Sequence, residues 1–159
     1  HSFKELQERI VSFDPSRQKP HGLPKPLVVS LTSYPARFGT LSLTLNSILT
    51  QTVRPDKVLL WISENDKDQI PPDVMELNNG LIDIRFCRDV GSFTKIIPTI
   101  ENFSDCFTIT FDDDVYYWRP CIDELVSGYI NGNSDVVCHR AHYITISRSG
   151  IPRQYKDWE

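Results

Sequence analysis

Three consecutive aspartates, Asp112, Asp113 and Asp114, are the residues whose types and spacing point most directly to chemistry. Adjacent carboxylates repel one another and favour neither helix nor strand, so a positive charge is expected to share the space between them. A divalent cation is the simplest candidate. On an extended backbone, successive side chains point to opposite sides. That geometry would make Asp112 and Asp114 the metal ligands and leave Asp113 free for another partner.

A solvated turn is the alternative explanation of the acidic run, because aspartate is common wherever a strand ends. The preceding residues favour a binding site. Residues 107–111, FTITF, are all β-branched or aromatic and predict a strand that leads directly into the aspartates. Open α/β sheets bind their ligands at the carboxyl ends of the strands, which is where the aspartates would lie.

Strand-like and helix-like segments alternate along the rest of the chain. Short apolar runs at residues 27–31 and 57–62 and an alternating run at 81–87 predict three earlier strands. Helical spacing of apolar residues predicts helices over residues 3–13, 41–51, 71–77, 94–103 and 119–131. Thr40 is expected to cap the second of these helices. A fifth strand is predicted at residues 135–139 and a sixth at 142–147.

This alternation predicts an α/β fold, with a mostly parallel sheet and helices on both faces. The compact domain is expected over residues 27–159. Residues 1–26 would form an N-terminal helix followed by a proline-rich linker.

Polar clusters follow the ends of four predicted strands, at residues 32–37, 63–66, 91–95 and 112–114. If the strands are parallel, all four clusters line one rim of the sheet. Arg37 and Lys95 would then lie beside the acidic cluster, a pattern that fits a metal-bound phosphate ligand. Each residue also has a simpler interpretation. Arg37 and Lys95 would be surface cations, Tyr34 a packing residue, and Glu64 and Asp66 solvated loop residues.

Composition narrows the class of protein. With 159 residues the chain is expected to form one domain, and its net charge of -4 argues against a nucleic-acid partner. No apolar run approaches the roughly 18 residues that span a bilayer, and the N-terminus lacks a signal-peptide core, so a cytoplasmic location is expected. The four cysteines are widely spaced, which favours free thiols over a disulfide framework.

Several segments together resemble the donor-binding half of GT-A-fold glycosyltransferases, particularly bacterial family 2-like enzymes of capsule and lipopolysaccharide assembly. They are LVVSLTSYPARF, KVLLWISE, GSFTK and FTITFDDDVYYW. The resemblance covers roughly residues 27–142, and the DDD motif is its one specific feature. It implies a Rossmann-like GT-A nucleotide-sugar-binding domain. In that family an acidic DxD-type motif, matched here by Asp112, Asp113 and Asp114, binds Mn²⁺ or Mg²⁺ and the nucleotide-sugar diphosphate.

The resemblance also implies roles for the other strand ends. Thr32, Tyr34, Arg37 and Glu64 would approach the base and ribose, and Lys95 would lie near the base or the phosphates. The implied activity is metal-dependent transfer of a sugar, from a UDP-sugar or similar donor, to a glycan or lipid-linked hydroxyl acceptor in surface polysaccharide synthesis. Peripheral association with the inner face of a membrane stays open, as does self-association through apolar surface near residues 139–151.

The family usually continues into an acceptor-binding half that carries the catalytic base. Because this chain stops at Glu159, a donor-binding portion truncated at its C-terminus is expected. No base is identified, and Asp157 and Glu159 are candidates only if the tail folds back. His139 and His142 are either a metal ligand and a base or structural histidines.

Two other functions stay open. A sugar-phosphate nucleotidyltransferase uses a similar sheet, although LTSYPARFG lacks the glycine-rich phosphate loop of that class. The other is a nucleotide-binding module without catalytic activity.

Overall fold

A computed structural model of the protein describes residues 3–78, 80–141 and 146–151. Its strands are β1 (Leu27–Thr32), β2 (Lys57–Ser63), β3 (Ile82–Cys87) and β4 (Phe107–Thr110). Its helices are α1 (Phe3–Val11), α2 (Phe38–Leu49), α3 (Pro72–Met75), α4 (Ile97–Asn102) and α5 (Cys121–Asn131). All strand pairings among the described residues are parallel within the sheet, whose order is β3-β2-β1-β4. The predicted α/β class is confirmed.

Helices cover both faces of the sheet, because the central strands β1 and β2 are apolar on both sides. On one face, Leu31 of β1 and Leu60 of β2 belong to a core that also includes Leu45 of α2 and Ile122 of α5. On the other face, Val28, Leu59 and Trp61 form a second buried cluster, with Phe103 at the end of α4 packed against it. The continuous burial of β1 therefore explains its apolar sequence.

The order of the strands creates a switch point between β1 and β4. The chain builds outward from β1 through β2 to β3 and then returns to place β4 on the opposite side of β1. Where the strand order reverses in this way, the connections leaving two adjacent strands diverge and leave a crevice at their carboxyl ends. The two loops at this crevice follow Thr32 and Thr110, and the second carries the aspartates.

Two local predictions are wrong. Helix α2 begins at Phe38 as a continuation of a 3₁₀ turn, Pro35–Arg37, and its N-cap is Arg37, so Thr40 lies inside the helix. Residues 135–139 form no strand. Val136 is 82% exposed, and Val137 lies over Gly128 of α5, where an added Cβ would come within 3.0 Å of the valine Cγ1. Packing against α5 thus takes the place of strand pairing.

Three other predictions concern shorter or less regular segments. The polar residues after β2, expected to be a loop, form a 3₁₀ turn, Glu64–Gln69, and α3 ends at Met75, two residues earlier than predicted. The predicted sixth strand falls largely outside the described residues. In the part of the chain that the structure describes, no helix has the length and apolar character that a membrane span requires.

Candidate functional site

A cleft of about 460 Å³ opens at the switch point. Its walls come from the segments that follow all four strands, as the parallel arrangement requires. Of the predicted site residues, the cleft is lined by Thr32, Tyr34, Arg37, Lys95, Asp112, Asp113 and Asp114. Glu64 is exposed and does not line it. Asp66, which belongs to the same 3₁₀ turn, does.

The three aspartates divide between different partners. Asp112 pairs with Lys95, and Asp114 pairs with Arg37. The carboxylate of Asp113 accepts a 2.6 Å hydrogen bond from the hydroxyl of Ser33, at the end of β1. Each carboxylate therefore has a partner on the wall of the cleft, and the outer two face cations.

Side-chain hydroxyls hold the backbone of Lys95, the last residue of the 3₁₀ turn Gly91–Lys95. Its carbonyl oxygen accepts hydrogen bonds from the hydroxyls of Ser30, at 2.5 Å, and Thr99, at 3.1 Å. Thr99 is fully buried and also accepts a 2.8 Å hydrogen bond from the indole Nε1 of Trp61. The backbone of Lys95 is thus tied to β1 through Ser30 and to β2 through Thr99 and Trp61.

Arg37 is held at the other side of the cleft. Its Nε donates a 3.4 Å hydrogen bond to the hydroxyl of Tyr34. That hydrogen bond and the ion pair with Asp114 raise the pKa of the guanidinium above its ordinary value, so Arg37 stays a cation. Tyr34 is 51% exposed, which leaves much of the side chain accessible at the wall of the cleft. Thr32 contributes less to the polar lining of the cleft than Arg37 and Tyr34, because its hydroxyl donates to the carbonyl of Trp61.

Sequence patterns alone missed the residues that shape the turn before Lys95. The Asp89 carboxylate accepts hydrogen bonds from the Gly91 amide at 2.8 Å and the Thr94 hydroxyl at 3.3 Å. Gly91 has a φ of 65°, a left-handed conformation that favours glycine. The Asp-x-Gly spacing is typical of such a turn and could have identified Asp89.

Ser33 and Tyr117 were also missed as supports of the aspartates. The phenol oxygen of Tyr117 accepts a 2.7 Å hydrogen bond from the Asp112 amide, and its ring stacks on Phe111 with centroids 3.9 Å apart. Burial raises the pKa of Tyr117 well above its ordinary value, so the hydroxyl keeps its proton. No local sequence pattern distinguishes Tyr117 from the neighbouring aromatic residues.

The chemistry of the cleft suits a hard divalent cation whose ligands come partly from protein carboxylates and partly from the oxygens of a bound phosphate. Asp112 and Asp114 offer carboxylate oxygens. Among the described residues, no three or more histidine, cysteine or acidic side chains come together in a group that could hold a metal. Mg²⁺ sites that use one or two carboxylates together with substrate phosphates do not need such a group. The residues therefore fit a metal site that a bound phosphate completes, and not a site in which the protein supplies every ligand.

His139 lies away from the cleft. Its ring packs edge-on against Trp118 with centroids 4.7 Å apart, and its Nε2 lies 3.3 Å from the carbonyl oxygen of Cys121. These contacts favour the structural interpretation of this histidine. His142, like Asp157 and Glu159, falls outside the described residues.

A scan of the chain against protein-family models gives no match, and a search of curated proteins finds no similar sequence.

Proposed function

We propose that the cleft binds the diphosphate of a nucleoside-diphosphate sugar together with Mn²⁺ or Mg²⁺, and that the chain is a metal-dependent glycosyltransferase or the donor-binding portion of one. The observation that carries this proposal is the meeting of Asp112, Asp113 and Asp114 with Arg37 and Lys95 at the switch point. Acidic clusters alone are common in turns. It is much less common for acids and cations from three separate loops to converge in one cleft.

The charge of the cleft supports a requirement for metal. Five carboxylates and two cations line it, which leaves a net charge of −3. The carboxylates are Asp66, Asp89, Asp112, Asp113 and Asp114. A diphosphate entering this field alone would be repelled, since like charges in a partly desolvated site interact strongly. A divalent cation held by Asp112 and Asp114 would remove most of that repulsion, and the phosphate oxygens would complete its ligands.

Arg37 and Lys95 have a second role in this proposal. In the structure they neutralise Asp114 and Asp112. With Asp112 and Asp114 holding a metal, Arg37 and Lys95 would be free to contact phosphate oxygens. Arginine binds phosphate through two parallel hydrogen bonds, and lysine acts as a point charge. Tyr34, which is half exposed and lines the cleft, would contact the base or ribose in this proposal.

The bound metal would act as a Lewis acid that stabilises the departing diphosphate. The chain's own residues would bind and orient the donor while a hydroxyl of a glycan or lipid-linked acceptor attacks the sugar. We propose a UDP-sugar as donor and surface polysaccharide synthesis, at the inner face of a membrane, as the process.

Calorimetry tests the proposal directly. UDP, UMP and inorganic pyrophosphate are titrated into the protein with and without Mn²⁺. We expect UDP to bind with Mn²⁺ present and to bind far more weakly without it. Binding of UDP that is equally tight without any divalent cation would contradict the proposal.

A second assay separates the enzyme from a binding module. Single-turnover incubation with labelled UDP-sugars should release UDP when an acceptor, or water, takes the sugar. Saturable binding with no UDP release would indicate a binding module. Release of pyrophosphate from UTP and a sugar phosphate would indicate a nucleotidyltransferase.

A further inference from the structure

The loop that carries the aspartates is held by a buried polar stripe on α2. Thr44, Ser47 and Gln51 lie three and four residues apart, along one side of α2 and the turn that follows it, and all three are 0% exposed. Residues at this spacing lie on one face of a helix. A fully buried polar side chain is costly unless its hydrogen bonds are made, so the partners of these three residues have to be identified.

Two of their hydrogen bonds stay within α2 and the turn that follows it, from Ser47 Oγ to the Thr44 carbonyl and from Gln51 Nε2 to the Ser47 carbonyl. The others reach backbone groups of residues 113–122, which comprise the acidic loop between β4 and α5 and the start of α5. Thr44 Oγ1 donates to the Asp113 carbonyl at 2.9 Å, and Ser47 Oγ accepts from the Tyr117 amide at 3.0 Å. Gln51 Nε2 donates to the Trp118 carbonyl at 2.8 Å, and its Oε1 accepts from the Ile122 amide at 3.0 Å. The stripe therefore holds the acidic loop along its length, from the second aspartate to the first turn of α5.

The acidic loop needs this support because the residues between β4 and α5 form no regular secondary structure. Backbone groups that are buried in such a segment must find partners elsewhere. A metal site that a bound phosphate completes also requires its carboxylates to be held within a few tenths of an ångström by rigid elements. Helix α2 is such an element, since its apolar residues Leu41, Leu45 and Ile48 are fully buried in the core.

A side chain from α1 reinforces the same contact. Arg9 Nη2 donates to the carbonyl of Ser47 at 3.1 Å and to the carbonyl of Tyr117 at 3.0 Å. The guanidinium thus bridges α2 and the acidic loop beside the hydrogen bond that joins Ser47 to Tyr117. The N-terminal helix is coupled to the site in this way, although it contributes nothing to the lining of the aspartate cleft.

We propose that Thr44, Ser47 and Gln51 are positioning residues, which hold the acidic loop in the conformation that binds metal and diphosphate. The claim that the loop binds metal and diphosphate rests on the proposed function. The attachment of the loop to α2 does not depend on that function.

The first experiment uses threonine variants of α2 and its C-cap. Thr44→Val keeps the shape of the side chain but removes the hydroxyl that holds Asp113, whereas Thr44→Ser keeps the hydroxyl. Thr50→Val is the matched control, because the hydroxyl of this buried threonine donates only to the Asn46 carbonyl within the helix. The Kd of UDP is measured by calorimetry in the presence of Mn²⁺, after circular dichroism has shown each variant to be folded.

We expect Thr44→Val to raise the Kd by about 5- to 20-fold, in line with the loss of one buried hydrogen bond, and Thr44→Ser and Thr50→Val to stay within about twofold of the wild type. A general loss of stability would not change the Kd of folded protein. An unchanged Kd in Thr44→Val overturns the inference, as does an equal rise in Thr50→Val.

Hydrogen exchange tests the attachment when no ligand is bound. The Tyr117 amide should exchange at least about tenfold faster in Ser47→Ala than in wild type or Thr50→Val, because it loses its acceptor. Equal protection in Ser47→Ala overturns the positioning role. If wild-type protein does not bind UDP with Mn²⁺, the proposed function fails, and this measurement still decides whether α2 holds the loop.

Discussion

Ser33 Oγ donates a 2.6 Å hydrogen bond to Asp113 Oδ2, joining residues 80 positions apart in the chain. The bond connects the end of β1 to the acidic segment after β4, across the point where the strand order reverses. Asp113 is also held through its carbonyl by Thr44. The middle aspartate is therefore an anchor in this structure, while Asp112 and Asp114 face the cations of the cleft.

Ser33→Ala tests this anchor. Removing the hydroxyl leaves the Asp113 carboxylate without its neutral donor. A hydrogen bond to a charged group contributes about 1.5 to 3 kcal/mol to the stability of the conformation that contains it. We expect UDP binding in the presence of Mn²⁺ to weaken by a comparable amount in calorimetry. Ser12→Ala is the control, since that hydroxyl donates only to the Glu8 and Arg9 carbonyls of α1. Wild-type affinity in Ser33→Ala would contradict the anchoring role.

Asp114→Ala tests the link between metal and nucleotide. In the wild type, Mn²⁺ alone should bind weakly and should bind more tightly once UDP supplies phosphate ligands. We expect Asp114→Ala to abolish that synergy while circular dichroism and the unfolding midpoint show an intact fold. Asp68→Ala is the control, because Asp68 is exposed and does not line the cleft. If synergy survives in Asp114→Ala, Asp114 is not a ligand. Asp112→Asn and Asp113→Asn should weaken nucleotide binding as well.

Arg37→Met and Lys95→Met test the cations. Each change removes a charge that can bind phosphate, and each should weaken UDP binding by about 1 to 3 kcal/mol. Lys67→Met, an exposed lysine outside the cleft, should have almost no effect. An effect below about 0.3 kcal/mol at both Arg37 and Lys95, less than a typical hydrogen bond contributes, would mean that neither cation contacts the nucleotide.

Thr99→Val tests the support beneath Lys95. The variant leaves the buried Trp61 indole N–H without its acceptor, and an unsatisfied buried donor costs about 1 to 3 kcal/mol. Urea unfolding should show that loss of stability. The exposed Thr40 offers a control, and Thr40→Val should change stability by less than about 0.5 kcal/mol. A neutral Thr99→Val would show that the indole finds another partner.

The stability of the protein should fall at alkaline pH because of Cys121. Burial and, to a smaller extent, the Glu124 carboxylate raise the pKa of this thiol to about 12, whereas the unfolded chain loses the proton near 9.0. Between these values the folded state binds more protons, so the free energy of unfolding decreases as pH rises. Below about pH 9 the thiol is protonated in both states and the effect disappears.

Urea unfolding from pH 8 to pH 10.5 measures this dependence. Above pH 9 the wild type should lose stability more steeply than Cys121→Ala, by up to about 1.4 kcal/mol per pH unit. Cys138→Ala should behave like the wild type, because Cys138 is exposed. Parallel curves for wild type and Cys121→Ala would show that the thiol does not contribute.

The sequence by itself determined the sheet and the rim on which the candidate site lies. Strand burial appears locally, as the apolar runs of residues 27–31 and 57–62, and strand and helix alternate in a way that parallel pairing explains. The polar residues after each strand must then share one edge. Arg37, Lys95 and the three aspartates could be placed together on this argument without any knowledge of their contacts, and the structure brings them into one cleft.

Only the tertiary structure decided how the aspartates are held. Thr44 and Ser47 belong to a helix whose pattern is dominated by leucine and isoleucine, and nothing local distinguishes them from solvated hydroxyls. Their partners in the acidic loop are 69 and 70 residues away. Helical periodicity records which face is apolar but not which distant backbone group meets a buried hydroxyl. That choice depends on packing, because a buried polar group takes whichever partner the completed fold brings within hydrogen-bonding distance.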